Sequence, residues 1–272
     1  MLPSGSRRLG LALVSALFFC FLAVPSLAAP DTQEENSPSN ANNHPILVEL
    51  FTSEGCSSCP PADEFLQKLD SQQPIPGAHL IVLSEHVDYW DGDGWKDPHS
   101  SHAFTERQEA YVRAFGLSTA YTPQIIVDGS GEMSLDDPHK IEAVFQKAVD
   151  NSKIPVNITS VSVDPQNPPT LHAHVEANSA SSKADVFVAI ALNHVASQVL
   201  HGENGGKHLT HVAVVQRLDK VGEVQKGKSF VQDVNLKLKT GTSLGDIRLV
   251  AFVQARGPGR MRREHQSNVC DG

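Results

Sequence analysis

Ile46-Leu47-Val48-Glu49-Leu50-Phe51-Thr52-Ser53-Glu54-Gly55-Cys56-Ser57-Ser58-Cys59-Pro60-Pro61 is the stretch on which the fold turns. Residues 46–51 are apolar except for Glu49, the pattern of a strand covered on both faces. A polar, glycine-containing turn follows, then two cysteines spaced by two residues, then two prolines. That spacing puts both sulfurs within one helical turn, close enough to bond. If Cys56 opens the helix, unpaired N–H groups and the positive end of the macrodipole stabilise its thiolate. The arrangement predicts thiol–disulfide exchange, with Cys56 attacking and Cys59 resolving the mixed disulfide. A static disulfide is one alternative. Half of a zinc site is the other, although structural zinc takes four ligands and no second cysteine pair exists.

Upstream, Arg7 and Arg8 precede an apolar run from Leu9 to Val24, Pro25, and the small-x-small triplet Ser26-Leu27-Ala28. The run is shorter than the ~20 residues a membrane helix needs. It reads as a cleaved signal peptide over residues 1–28, hence a secreted or periplasmic protein with no membrane span in the mature chain. Removing that leader takes the net charge from −9 to −11, because it carries Arg7, Arg8 and no acid. So acidic a chain, without a sustained basic stripe, is not built for nucleic acid. The exception, Arg256, Arg260, Arg262 and Arg263, falls in a Gly/Pro-containing tail. Of four cysteines, Cys20 leaves with the leader. In an oxidising compartment Cys56 and Cys59 should form a disulfide, and Cys270 is left as a free thiol, an intermolecular link or a partner for one of the pair.

Residues 29–44 lack apolar periodicity and read as a flexible spacer. Residues 45–152 alternate strand and helix. Strands are expected at 46–51, 79–83 and 124–128, with a hairpin through Gly129-Ser130-Gly131. Helices are expected around Phe65, Leu66 and Leu69, over 101–115, and after Asp137, with Pro138 at the first helical position. That order implies an α/β domain with a mixed sheet and flanking helices. After Pro155 the pattern becomes short alternating strands at 158–163, 170–175, 186–192, 208–218, 230–238 and 247–253. These predict a β-sandwich-like antiparallel domain over 153–256 and a tail over 257–272.

The first half resembles the thioredoxin superfamily, through the cysteine pair at a strand-to-helix junction, Tyr121-Thr122-Pro123 before a strand, and Glu49 ahead of the motif. The chain is also similar to a secreted family, the domain of unknown function 1223. That likeness rests on residues 48–63, His86-Val87-Asp88-Tyr89-Trp90, Gly94-Trp95-Lys96-Asp97-Pro98, Arg107-Gln108, Tyr121-Thr122-Pro123-Gln124 and Gly202-Glu203-Asn204, and covers most of residues 45–255. It implies a thioredoxin-like domain with a β-rich partner and supplies no substrate. Within it, Pro123 is implied to be cis, so that Thr122 pairs with an extended substrate strand beside the sulfurs. No tryptophan precedes Cys56, and Ser57-Ser58 replaces the Gly-Pro of the reducing enzymes.

Glu49, an acid among apolar residues, is expected either to be buried and to take a proton from Cys59 or to sit at an edge in solvent. Trp90 and Trp95, in a loop with Asp88, Asp91, Asp93 and Asp97, either line a substrate groove or fold into a mini-core of their own. The substrate is then a protein or a small thiol, with a separate redox partner and no cofactor beyond the Cys56–Cys59 disulfide. A second reading makes the chain a copper or zinc metallochaperone, with Cys56, Cys59 and His86 as ligands and Asp88, His99 and His102 nearby. A third makes it a non-catalytic binding protein on the same scaffold, with the 202–206 loop as its recognition surface.

Overall fold

The computed structural model describes residues 44–255, apart from residue 93 and residues 166–167, together with the backbone of residues 268–270. The expected signal peptide, nearly all of the expected spacer and most of the expected tail lie outside the described residues. The elements in chain order are β1 (His44–Thr52), α1 (Pro60–Gln72), β2 (Ala78–His86), α2 (His102–Phe115), β3 (Gln124–Val127), β4 (Gly131–Met133) and α3 (Pro138–Val149). An all-strand half follows, with β5 (Val156–Asp164), β6 (Thr170–Ala177), β7 (Ala184–Gln198), β8 (His208–Val224), β9 (Phe230–Lys237), β10 (Ile247–Ala255) and β11 (Asn268–Cys270).

β1 lies between a parallel neighbour, β2, and an antiparallel one, β3, so both its edges are paired, and helices cover both its faces, which is why its apolar run is continuous. Ile46, Val48 and Leu50 point to the side of α1 and α3, where they meet Leu66, Leu69 and Phe145. Leu47 and Phe51 point to the opposite side, toward Phe104 and Tyr111 of α2. The helices end where local chemistry ends them. Ser101 caps α2 by accepting the Ala103 N–H, and Gly116 closes it in the left-handed conformation. Asp137 caps α3 through the N–H groups of His139 and Lys140.

The mixed sheet does not stop at residue 152. Its order is β11-β10-β7-β8-β2-β1-β3-β4, so strands of the second half continue the sheet of the first, joined through a parallel pairing of Ser84 with Val214. The described residues accordingly form one compact unit. The change from helices to strands after Pro155 is a change of pattern within that unit. The second sheet, β5-β6-β9, is antiparallel and faces the β10-β7-β8 end of the first. Between them lies an aliphatic layer that includes Val156, Val175, Val186, Val188, Val234 and Val253.

Gly222 of β8 is required by this layering. A Cβ there would overlap Cε2 of the Phe230 ring, which is itself only 9% exposed. G222A is expected to lower stability by about 1–3 kcal/mol, the usual cost of overpacking, without loss of the fold, as read by chemical denaturation.

Candidate functional site

Cys56 and Cys59 are joined in a disulfide, with Cα atoms 5.4 Å apart, and both residues are 0% exposed. The helix does not begin at Cys56. It begins at Pro60, and Cys59 is its N-cap residue, its carbonyl accepting the N–H groups of Ala62 (2.8 Å) and Asp63 (3.1 Å). Two prolines at the first helical positions explain the shift, since their fixed φ suits a first turn. They also remove two of the free N–H donors that a helix start offers a thiolate. What stands beside Cys56 is the hydroxyl of Ser58, 3.4 Å from its Sγ.

The cysteine loop is held from the far half of the chain. The carboxamide Nδ2 of Asn204 donates to the carbonyls of Glu54 and Cys56, both at 2.9 Å, and Lys207 Nζ donates to its oxygen at 2.8 Å. Glu203 accepts the N–H of Ser57 at 3.2 Å, and hydrogen bonds from the Ser57 hydroxyl and then its N–H hold the Glu203 carboxyl below the ordinary carboxylate range. On the other side, the Thr122–Pro123 bond is cis, and the Thr122 carbonyl accepts from the Ser58 hydroxyl at 3.4 Å. Gln108 positions that turn by donating to the Tyr121 carbonyl (2.7 Å) and to Gln124 (3.0 Å). A groove of about 390 Å³ opens beside Ser58, lined by Pro61, Tyr121, Pro123, Met133 and Leu135 among others.

Both tryptophans are half-buried and their indole N–H groups are taken within the site. Trp90 donates to Thr122 Oγ1 at 2.7 Å, and Trp95 to Glu54 Oε2 at 2.8 Å. The Trp90 backbone comes so close to Gly55 that a Cβ there would lie 3.1 Å from the Trp90 Cβ, so the position takes glycine for its small size.

Glu49 is fully buried, but on the α2 side of the sheet. Its Oε1 accepts from Arg107 Nε at 2.7 Å and its Oε2 accepts from the Tyr111 hydroxyl. Both oxygens accept hydrogen bonds from α2, not from Cys59. The Arg107 guanidinium also donates to Gln254, and it lies 5.2–5.5 Å from the ring centres of Tyr111, Phe187 and Phe252. Burial alone would lower the affinity of Arg107 for its proton, but Glu49 and its neighbours push it above the ordinary value. Glu85 shares the cation at a distance of 3.5 Å from Arg107 Nε, and neither of its oxygens accepts a well-aligned hydrogen bond. Burial therefore raises its pKa well above 4.5, opposed by Arg107 and reinforced by Glu49.

A second buried polar group surrounds Glu54 and Asp63, residues whose role the sequence reading did not anticipate. Glu54 donates its N–H to Asp97 Oδ2 at 2.8 Å, and His86 Nδ1 lies 2.7 Å from the same oxygen. Burial resists both charges. The pair nevertheless pushes Asp97 well below and His86 above their ordinary values. His99 goes the other way, lowered to about 4 by burial and by the neighbouring His86. His211 of β8 completes the group, its ring 4.8 Å from that of His86. His86 is thus fastened to Asp97, and His102 sits exposed beside Asp88. Among the described residues, no three His, Cys, Asp or Glu side chains converge as a metal ion would require.

Compared with known protein families, residues 47–254 match the proteins of unknown function designated DUF1223. The chain belongs to the DUF1223 family. No curated protein matches it. Among solved structures, a crystal structure of an Agrobacterium tumefaciens protein superimposes with a TM-score of 0.60 at 27% identity, covering 82% of this chain and 92% of that one. The sporulation control protein Spo0M of Bacillus subtilis aligns at 8% identity and a TM-score of 0.27, over 44% of this chain and 48% of its own.

In this DUF1223 chain the Asn204 amide and the Glu85 carboxyl yield separate expectations. N204A removes the side-chain donor from the buried Glu54 carbonyl and leaves the Cys56 carbonyl with the Cys59 N–H alone, and should cost about 1–3 kcal/mol in denaturant titrations. For Glu85 the folded-state pKa is raised, so its favourable contribution is complete below the ordinary 4.5 and is lost as pH rises toward the folded value. E85Q removes that dependence. It should gain stability relative to the parent chain between pH 4 and pH 8, and a constant difference across that range would contradict the assignment.

Proposed function

We propose that this protein is an extracytoplasmic thiol–disulfide oxidoreductase or isomerase built on a thioredoxin-like domain, with the Cys56–Cys59 disulfide as its working group. The observation that carries the reading is the disulfide itself, bonded at the junction of β1 and α1 with the cis Thr122–Pro123 turn against its Ser58. The signal-peptide pattern at residues 1–28 supports the compartment, where such a pair is exposed to exchange. A dithiol substrate, protein or small molecule, would send one thiolate to Cys56 Sγ. The Cys56–Cys59 bond breaks and Cys59 departs as a thiolate that takes up a proton. The second substrate thiolate then attacks the substrate sulfur of the mixed disulfide and releases Cys56. Two electrons pass to the cysteine pair and the substrate leaves as a disulfide; the reverse sequence reduces a substrate disulfide.

Two features shape how that chemistry would run. With prolines at the start of α1, the Cys56 thiolate draws on the Ser58 hydroxyl rather than on a row of helix N–H groups. With both cysteines buried, attack requires the Ser57-Ser58 lip to move, and the groove beside Pro61 and Pro123 is where a substrate would approach. The same burial favours a second reading, a structural bond that staples the strand to the helix.

The reduction potential of the pair, measured by glutathione equilibration and thiol trapping in a C270S background, separates the two. Exchange activity predicts a potential above about −200 mV, and a value below roughly −300 mV would assign the bond to structure.

A further inference from the structure

Reduction of a disulfide adds two protons as well as two electrons, and Cys59 is 0% exposed. A thiolate released there has no direct access to water, and an unneutralised charge in so dry a place is costly. The helix that begins after Cys59 supplies an ionisable group one turn along. Asp63 donates its N–H to the Cys59 carbonyl, and residues four apart share a helix face. Asp63 Oδ2 accepts from Thr52 Oγ1 at 3.2 Å, whereas its Oδ1 accepts no hydrogen bond and lies 3.3 Å from His211 Nδ1. The other ring nitrogen, Nε2, lies 3.9 Å from Glu54 Oε1, which is also without a hydrogen-bond donor.

One imidazole thus has its two nitrogens directed at two carboxylates on different elements, with its side chain 1% exposed. A single metal ion cannot take both nitrogens of one ring. A proton can enter at one and leave at the other. The charged and titratable neighbours are Asp63 from α1, Glu54 from the loop after β1, His86 from the end of β2, and Asp97 and His99 from the segment before α2. Lys239, after β9, acts on His99. His86 is already committed to Asp97, which leaves Asp63 and His211 as the pair adjoining the disulfide helix.

We propose that Asp63 and His211 deliver to Cys59 the proton it gains when the Cys56–Cys59 bond breaks, and take it back when the bond re-forms. This rests on the exchange reading given above, and it names residues other than Glu49 for that proton. Asp63 and His211 are positioning and proton-transfer residues for a step whose bond changes occur at sulfur.

The test uses the full chain in a C270S background and a water-soluble trialkylphosphine, which opens a disulfide whatever its potential. Phosphorus attacks Cys56 Sγ, Cys59 leaves and takes a proton, and water then yields the phosphine oxide and the Cys56 thiol. Single-turnover rates would be followed from pH 5 to pH 9 for the parent chain, D63N, H211Q and the double variant. The expected result is a rate roughly a hundredfold lower in each single variant, a flattened pH profile, and no further loss in the double variant. Parental rates and profile in both singles would overturn the proposal, as would slowing that leaves the profile's shape intact. Should either variant fail to fold, the ring NMR signals of His211 in the parent chain decide. Its protonation must differ between the oxidised and reduced forms, and no difference overturns the relay. A potential too low for exchange would remove the functional reading while leaving these rates to judge the relay separately.

Discussion

The amide of Asn204 donates to two buried carbonyls of the cysteine loop, those of Glu54 and Cys56, the second shared with the Cys59 N–H. Buried backbone groups must be partnered somewhere, and a loop between a strand and a proline-started helix has few internal partners to offer. Here the partners come from a turn 148 residues later in the chain. Around that bond the remaining contacts fall into place, with Glu203 on the Ser57 N–H, Trp95 on the Glu54 carboxylate and His211 between Glu54 and Asp63. The disulfide is therefore a feature of the whole 44–255 unit rather than of its first half.

Two buried polar groups flank the central strand, and they solve the same electrostatic problem differently. On the α2 side one arginine serves two carboxylates, so a second negative charge is in excess and burial pushes Glu85 toward its neutral form. Around Glu54 and Asp63 the charges are spread over imidazoles and acids that pair in sequence, His86 with Asp97 and His211 with Asp63 and Glu54. The first arrangement holds a cation fixed between aromatic rings. The second leaves Glu54 Oε1, Asp63 Oδ1 and both ring nitrogens of His211 without a hydrogen-bond partner, which suits chemistry better than cohesion.

How much of this was legible in the sequence depended on range. Periodicity located every helix and strand of the first half, including the Asp137 cap, because those signals are local. The start of α1 was left conditional on Cys56, and it is the Pro60-Pro61 pair that marks the first turn. The apolar neighbours of Glu49 left burial and an exposed edge both open, and its partner Arg107, 58 residues away, had no local mark. The pairing of Ser84 with Val214 that carries the sheet into the second half is a single bridge, and nothing in either strand announces it. His211 was the nearest to a missed signal, a histidine inside the apolar run Val212-Ala213-Val214-Val215 and its approach, where a buried polar residue calls for a partner. The cis Thr122–Pro123 bond was reached through family resemblance alone, since its local sequence resembles many trans turns.

The distance along the chain between the cysteines and the residues that enclose them also sets an order of events during synthesis. Chains emerge from the N-terminus, and Cys56 and Cys59 are made well before Asn204, Lys207 and His211. Until that later segment has been made and folded, the pair stands uncovered to whatever oxidant or thiol surrounds the nascent chain. Closure of the 202–207 turn then brings Asn204 onto the Glu54 and Cys56 carbonyls, so the loop that carries the cysteines reaches its final shape only after this later segment has folded.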